Sequence, residues 1–159
     1  MVRRSYIDDI DNKIIKILIN NSRISNTKIA KLLDISEASV RKRIKKIMKH
    51  GIIKKFTVEL NYNLLGYKRV FIGLNIDKDK IFNILEKISK NKNIKDIYLT
   101  GGDHDILIDF LYSKPEELDE YIKYLQSIEG IKSVWPTIVI DIINYDNLGT
   151  NFNLYKNNV

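Results

Sequence analysis

Residues 36–51 have the sequence SEASVRKRIKKIMKHG, and their spacing predicts one short helix that decides the fold of the first third of the chain. Helical residues turn by about 100° each, so this helix has an apolar side and a basic side. Ser36 is suited to cap its start and Gly51 to end it. The apolar side consists of Val40, Ile44, Ile47 and Met48, whereas Ala38, Ser39, Lys42, Lys45, Lys46 and Lys49 lie on or near the opposite side, with Arg41 and Arg43 as flanks.

Charge is concentrated on this helix. Residues 41–49 contain six cations, which would repel one another in isolation. A phosphate backbone would relieve that repulsion and release counterions, although a solvated lysine-rich face is an equally open interpretation. Residues 1–60 contain 15 Lys+Arg against 6 Asp+Glu, a net charge of +9, whereas residues 61–159 contain 12 against 14, a net charge of −2. This asymmetry indicates a nucleic-acid-binding head joined to a body with another task.

Two shorter amphipathic segments precede the basic helix. The first covers residues 8–20, and the second begins after its cap, Ser25. A three-residue turn, residues 34–36, separates the second segment from the basic helix. This order is the helix-turn-helix arrangement, whose last helix enters a DNA major groove about 12 Å wide. The predicted core positions are Ile10, Ile14, Ile17 and Leu18 in the first segment and Ile29, Ala30, Leu32 and Leu33 in the second.

The second half of the chain repeats a strand-helix-strand pattern twice. This order predicts a ferredoxin-like βαββαβ domain over residues 70–144, within an α+β protein. A capping box of Ser113 with Glu116 is expected at the start of its second helix. Such a sheet has helices on one face only, yet its strands are apolar at both parities. The open face is therefore predicted to pair subunits in a homodimer or larger assembly.

The remaining segments complete the predicted domain organisation. Residues 52–60 have the composition of a strand, which makes 1–60 a winged-helix-like DNA-binding domain with a hinge strand. Residues 61–69 are turn-like and form the predicted linker. Residues 145–159 are rich in Asn and form the predicted C-terminal tail.

Composition excludes several classes of function. The chain has no cysteine, which excludes disulfides, thiolate catalysis and Cys-ligated zinc and fits a cytoplasmic protein. It has two histidines, and His50 is most simply a partner for the dipole at the end of the basic helix, so neither a transition metal nor a cofactor is expected. No apolar run of membrane-spanning length and no signal-peptide core is present, so no membrane association is expected. Asp103, Asp105 and Asp109 alternate near a strand and suit either a hard cation or a solvated or interface role.

The chain resembles the Lrp/AsnC (feast/famine) family of transcription regulators over nearly its whole length. The resemblance lies in IDDIDNKII at 7–15, RIS at 23–25, IAKLL at 29–33 and the stretch from Ser36 to Ile53. It implies a double-stranded-DNA-binding homodimer, often assembled into tetramers or octamers, that responds to amino acids or similar small molecules. The second half is similar to the effector-binding and assembly domain of that family.

A glycine-to-aspartate turn of the family corresponds to residues 100–105, which are Thr100, Gly101, Gly102, Asp103, His104 and Asp105. Adjacent glycines allow positive φ and expose N–H groups that can bind a carboxylate, and Asp103 or Asp105 can hold an ammonium group. These residues therefore form the predicted effector site. A hairpin turn that uses Gly and Asp for geometry alone is the alternative. His104 stands where the family usually has an aromatic residue.

The leading hypothesis is a sequence-specific transcription regulator rather than an enzyme. Ser39, Arg41 and Lys42 are predicted near base edges and Arg43, Lys45, Lys46 and Lys49 at phosphates, with Ser36 at the helix start offering its N–H region to another phosphate. One alternative is an enzyme subunit that resembles a sirohaem-type decarboxylase, which the scarcity of His and Arg after residue 69 disfavours. The other is a DNA organiser that binds without base readout.

Overall fold

The computed structural model describes residues 7–140, which divide into two units between Glu59 and Leu60. The first unit contains three helices, α1 (Asp9–Asn20), α2 (Asn26–Leu33) and α3 (Glu37–Lys49). The second unit contains four strands and two helices, with short 3₁₀ turns at Asn63–Leu65 and Lys78–Lys80. Its elements are β1 (Lys68–Ile76), α4 (Ile81–Ile88), β2 (Ile94–Leu99), β3 (Ile106–Tyr112), α5 (Pro115–Ser127) and β4 (Ile131–Ile138).

The three helices of the first unit enclose a small aliphatic core. Ile14, Ile29, Val40 and Ile47 are fully buried in it, because each lies on the apolar side of its own helix. Leu32 was predicted as a core residue and is 60% exposed. Leu32 projects about 100° away from the side of α2 that the buried residues Ile29 and Ala30 share, so this short helix cannot bury Leu32 together with those two residues.

The second unit is a four-stranded antiparallel sheet with the strand order β2-β3-β1-β4. Side chains alternate between the two faces of each strand. The alternate residues Val70, Ile72 and Leu74 of β1 are fully buried with the apolar side chains of α4 and α5. The order βαββαβ and the helices on one face confirm the predicted ferredoxin-like fold.

Residues 52–60 do not form the predicted strand. A strand needs a neighbour that completes its hydrogen-bond ladder, and none of the described segments pairs with these residues. Phe56, Val58 and Leu60 are therefore exposed in the described chain, by 47%, 72% and 46%. Strand-like composition alone was insufficient to form the element.

The start of α5 also differs from the prediction. The carboxylate of Glu117, not that of Glu116, accepts a hydrogen bond from the Ser113 N–H at 2.8 Å. The reason is that the helix begins at Pro115, so Glu117 is its third residue, and a side chain at this position reaches back to the N–H groups that precede the helix. The end of the predicted domain, residues 141–144, and the predicted tail at 145–159 lie outside the described residues.

Candidate nucleic-acid interface and effector site

The turn between α2 and α3 places the basic helix. Asp34 ends α2 in the left-handed conformation, with φ 52°, and so performs the role that glycine often has in such turns. Ser36 then caps α3, because its hydroxyl accepts a hydrogen bond from the Ser39 N–H at 3.1 Å. The hydroxyls of Ser36 and Ser39 are also 2.8 Å apart, so the two serines form one polar group at the helix start.

One side of α3 is a solvent-exposed cationic surface. Its exposed cations are Arg41, Lys42, Lys45 and Lys49, and we call these four residues the outer cations. Arg41 donates to the carboxylate of Glu37 at 2.7 Å, one turn earlier on the same helix. Glu37 is also held by the Thr27 hydroxyl at 2.8 Å, and the bonds from Thr27 and Arg41 lower its pKa. The outer cations are therefore positioned for an anionic partner, with Arg41 oriented by Glu37.

The other two cations of α3 face α1. Arg43 donates to the carboxylates of Asp8 at 2.6 Å and Asp11 at 2.8 Å, and Lys46 also donates to Asp11. The Asp11 side chain is fully buried, whereas those of Arg43 and Lys46 are 26% and 38% exposed. These ion pairs join α1 to α3. The predicted phosphate contacts of Arg43 and Lys46 thus compete with carboxylates that the two side chains already bind.

The electrostatics of this cluster follow from its contacts. Burial acts to raise the pKa of Asp11, but the hydrogen bonds from Lys46 and Arg43 outweigh it, and the pKa lies below its ordinary value. The bond from Arg43 likewise lowers the pKa of Asp8, and the bond to Asp8 raises that of Arg43. Sequence reasoning missed this cluster. Its signal was present in the first turn of α1, where Asp8 and Asp11 form a reciprocal capping box.

The predicted effector residues form one ordered turn between β2 and β3. The Thr100 hydroxyl donates to the His104 carbonyl at 2.7 Å, and the Asn75 side-chain amide donates to the Asp103 carbonyl at 2.6 Å. Gly102 has φ 115°, a conformation that side chains rarely adopt. Within residues 7–140, the N–H groups of Gly101 and Gly102 make no hydrogen bond, and both glycines are exposed residues.

The two aspartates of this turn have different surroundings. Asp105 accepts a hydrogen bond from the Ile76 N–H at 3.0 Å and lies 3.9 Å from the Lys78 ammonium group. The Asp103 carboxylate is exposed and has no ion pair with any residue that the structure describes. Of the two candidates, Asp103 is therefore the carboxylate that remains available to an ammonium group.

His104 belongs to the turn but lies against the sheet. A β-carbon at Gly73 of β1 would come within 2.4 Å of His104 Cδ2, so the imidazole occupies the space above that glycine. Gly73 is paired with Leu107 on one side and Trp135 on the other. These residues lie on the sheet face opposite the helices, where Trp135 is 57% exposed. The turn is thus in contact with the open face of the sheet.

Asp103, Asp105 and Asp109 do not form a common cation site. Asp109 lies 3.1 Å from Arg69 Nε, whereas Asp105 is bound to the Ile76 backbone. Burial raises the pKa of Asp109, although the charge of Arg69 opposes this. Within residues 7–140, no group of three or more His, Cys, Asp or Glu side chains is arranged to hold a metal ion.

A helix-turn-helix with exposed cations on its last helix, followed by a ferredoxin-like domain, defines a two-domain DNA-binding regulator. The AsnC-type helix-turn-helix domain model matches residues 7–48, and the Lrp/AsnC ligand binding domain model matches residues 69–148. The chain belongs to the Lrp/AsnC family of transcription regulators. Among the described helices, none is long and apolar enough to cross a membrane.

Several known proteins are similar to this chain over most of its length. The chain is 36% identical over 137 residues to the HTH-type transcriptional regulator LrpA of Pyrococcus horikoshii, a match that covers 85% of this chain and 97% of LrpA. The structure of Escherichia coli AsnC has a TM-score of 0.77 at 25% identity and covers 87% of this chain and 96% of AsnC. The regulator NMB0573 of Neisseria meningitidis, solved as a complex with L-Met, has a TM-score of 0.78 at 20% identity, with coverage of 87% and 93%. The protein is a sequence-specific DNA-binding transcription regulator.

Proposed function

We propose that α3 lies in the major groove and that the outer cations mediate DNA recognition. Ser39, Arg41 and Lys42, on the first two turns, face base edges, whereas Lys45 and Lys49 contact phosphates. The N–H groups at Ser36 bind a further phosphate at the helix start. The exposure of these cations, opposite the buried residues of the same helix, is the observation that supports this proposal most directly.

We assign a different role to Arg43 and Lys46. Their bonds to Asp8 and Asp11 join α3 to α1, which fixes the angle at which the outer cations project. A recognition helix must present its base-reading side chains within a narrow groove, so its orientation matters as much as its charge. These two residues therefore serve DNA binding by positioning α3.

We also propose that the turn 100–105 binds an α-amino acid effector. The N–H groups of Gly101 and Gly102 take the carboxylate, and Asp103 takes the ammonium group. The complex of the Neisseria regulator with L-Met supports an amino acid as the class of ligand. Contact between His104 and Gly73 connects this turn to the open sheet face, so an effector at the turn acts on subunit assembly.

The open face is the proposed subunit interface. Tyr98 and Trp135 lie on this face, 46% and 57% exposed, in register with Leu107 and Gly73. An aromatic surface of this kind is typical of an interface between copies. A homodimer that assembles further into tetramers or octamers would present two or more α3 helices to DNA. The measurement is sedimentation velocity: Trp135→Glu should dissociate the assembly, and an unchanged sedimentation coefficient would contradict this interface.

We propose that this activity takes place in the cytoplasm and that the chain acts by binding rather than by catalysis. Selection of bound sequences from a random DNA pool, with and without a panel of amino acids, tests the proposal as a whole. A dimer should enrich two related half-sites separated by whole helical turns, about 10 base pairs each. A pool that remains unenriched, despite tight binding, would indicate a DNA organiser instead.

A further inference from the structure

The exposed side of α3 contains a small apolar residue among its cations. Among the described residues of this helix six are exposed, and the two that are not outer cations are Ala38 and Met48. Ala38 is the second residue of α3, whereas Met48 belongs to its last turn. The first turns of a recognition helix are the part that meets base edges. Ala38 is therefore the exposed apolar residue of α3 in the region proposed to contact bases.

Ala38 lies in a shallow surface depression of about 560 Å³. The other residues that line this depression are Glu37, Arg41, Lys42 and Lys45. The side chain of alanine ends at its β-carbon, whereas each of the other four side chains extends several bonds further. Ala38 therefore forms the floor of the depression and the longer side chains form its walls. We call this surface the Ala38 depression.

Hydrogen bonds hold one wall of the Ala38 depression in place. Because helical residues turn by about 100° each, Glu37 and Arg41 project on the same side of Ala38, and Lys42 projects on the other side. Arg41 donates to Glu37 at 2.7 Å, and Glu37 accepts from the hydroxyl of Thr27 in α2 at 2.8 Å. The guanidinium group is thereby held toward Glu37 and away from the β-carbon of Ala38. The floor of the depression stays open to solvent, since Ala38 is exposed.

The chemistry of the Ala38 depression suits one feature of the major groove. Donors and acceptors on base edges are recognised by polar side chains, whereas the alanine β-carbon offers only an apolar contact. The apolar group that a base pair presents in the major groove is the C5-methyl group of thymine, and alanine is one of the residues that contact it. The longer cations around the depression reach past it to phosphates and to neighbouring base edges. A thymine methyl group can therefore contact Ala38 while the outer cations keep their own partners.

We propose that Ala38 is a specificity-determining residue that contacts the C5-methyl group of one thymine in each operator half-site. This inference rests on the proposed position of α3 in the major groove. The methyl group enters the Ala38 depression, and its contact with the alanine β-carbon removes apolar surface of both groups from water. The contact distinguishes thymine from uracil, which has the same hydrogen-bonding groups and lacks the methyl group.

The test replaces thymine by deoxyuridine in a selected operator, one position at a time and in both half-sites together. Fluorescence anisotropy with the full chain at fixed salt gives the ratio of the thymine and uracil affinities, which we call the methyl ratio. Burial of one methyl group changes affinity by about fourfold, so loss of one methyl group from each half-site should weaken binding by about 15-fold. A methyl ratio below about fivefold at every thymine, or selected operators without a fixed thymine, would overturn the proposal.

Two substitutions of Ala38 should both reduce the methyl ratio, for different reasons. Ala38→Gly removes the contact, so the ratio should fall to below about threefold. Ala38→Val fills the depression with a side chain that is stiff at χ1, so the uracil operator should bind at least as tightly as the thymine operator. The ratio compares two DNAs with the same variant, so any loss of folded protein cancels from it. A ratio that either substitution leaves unchanged would refute Ala38 as the contact.

Matched controls separate Ala38 from the other contacts of α3. Lys49→Met removes a proposed phosphate contact and should weaken binding of the thymine and uracil operators equally. Met48→Gln alters the other exposed apolar residue of α3, which lines a second depression together with Ile44, and should leave the methyl ratio unchanged. A ratio that Met48→Gln abolishes and Ala38→Gly preserves would assign the methyl contact to Met48 and overturn the proposal.

Failure of this inference differs from failure of the proposed function. If α3 does not contact bases in the major groove, selection from a random pool yields no operator, Lys45→Met leaves the salt dependence of binding unchanged, and both proposals fail. If α3 contacts bases but Ala38 does not contact a methyl group, an operator is found and Lys45→Met reduces the salt dependence. The methyl ratio is then the same for the unmodified chain and for Ala38→Gly, and only the inference about Ala38 fails.

Discussion

Lys45 and Lys46 are adjacent in the chain, yet the same substitution should affect DNA binding at Lys45 and folding stability at Lys46. Lys45 is an outer cation, exposed on the side of α3 that we propose contacts DNA. Lys46 donates to the fully buried carboxylate of Asp11. Replacing each by Met removes one charge and keeps most of the side-chain length. The pair therefore separates DNA contact from helix positioning with one chemical change.

The magnitudes follow from the two environments. Loss of one phosphate contact reduces the slope of log affinity against log salt by about 0.9, so Lys45→Met should reduce it by about 1.8 in a dimer with two bound heads. Lys46→Met should leave the slope nearly unchanged. It removes a charged hydrogen bond to a buried carboxylate that still has Arg43, and it should lower the free energy of unfolding by about 1–2 kcal/mol. That corresponds to a fall of about 5–10 °C in the midpoint of the first unit.

Two assays measure these effects. Fluorescence anisotropy with a selected operator, between about 50 and 200 mM salt, gives the slope for each variant. Circular dichroism at the same protein concentration gives the thermal midpoint. Lys49→Met is the matched control, because Lys49 is exposed like Lys45, is also assigned to a phosphate, and should reduce the slope without a change in midpoint. If Lys46→Met reduced the slope as much as Lys45→Met and left the midpoint unchanged, the proposed division of the α3 cations would be refuted.

Three further predictions concern stability. The pKa of Asp11 is lowered in the folded chain, so its ionised carboxylate stabilises the fold above the ordinary pKa of 3.8, and this stabilisation is lost as pH falls through the lower folded value. Acid unfolding followed by circular dichroism should show the loss of stability below about pH 4, and Asp11→Asn should remove this pH dependence. Gly73→Ala should lower the free energy of unfolding by about 1–3 kcal/mol because its β-carbon would meet His104 at 2.4 Å, and His104→Ala in the same chain should restore most of the loss in urea unfolding; an unchanged midpoint in Gly73→Ala would contradict the contact. Arg69→Met alone should lower the free energy of unfolding more than Arg69→Met combined with Asp109→Leu, because the single change leaves a buried carboxylate without its cation. A double-mutant cycle measures the difference, and strictly additive losses of free energy would exclude the pairing.

Local sequence was sufficient to predict most of the elements. Helical spacing of apolar residues located α1, α2 and α3, and the caps Ser25 and Ser36 marked two helix starts within a residue. The repeated strand-helix-strand order gave the ferredoxin-like domain. These features depend on residues within one or two turns of each other, and such short-range preferences are contained in the sequence itself.

Local sequence patterns did not predict contacts between residues that are distant in the chain. Residues 52–60 have a strand composition, but a strand also needs a partner, which composition does not specify. Ser113 pairs with Glu117 rather than Glu116 because the helix start is shifted by one residue. A helical wheel counts Arg43 and Lys46 with the other cations, since it contains no information about what lies opposite.

The sequence by itself determined the class of this protein: a basic helix after a tight turn and a repeated strand-helix-strand unit follow from local periodicity and caps. Only the tertiary structure decided how its charges are used. It directs Arg43 and Lys46 to the carboxylates of Asp8 and Asp11 and leaves the outer cations in solvent. The physical reason is that a charge depends for its effect on the partners within a few ångströms, and residues 35 positions apart in the chain, such as Asp11 and Lys46, become partners only through folding.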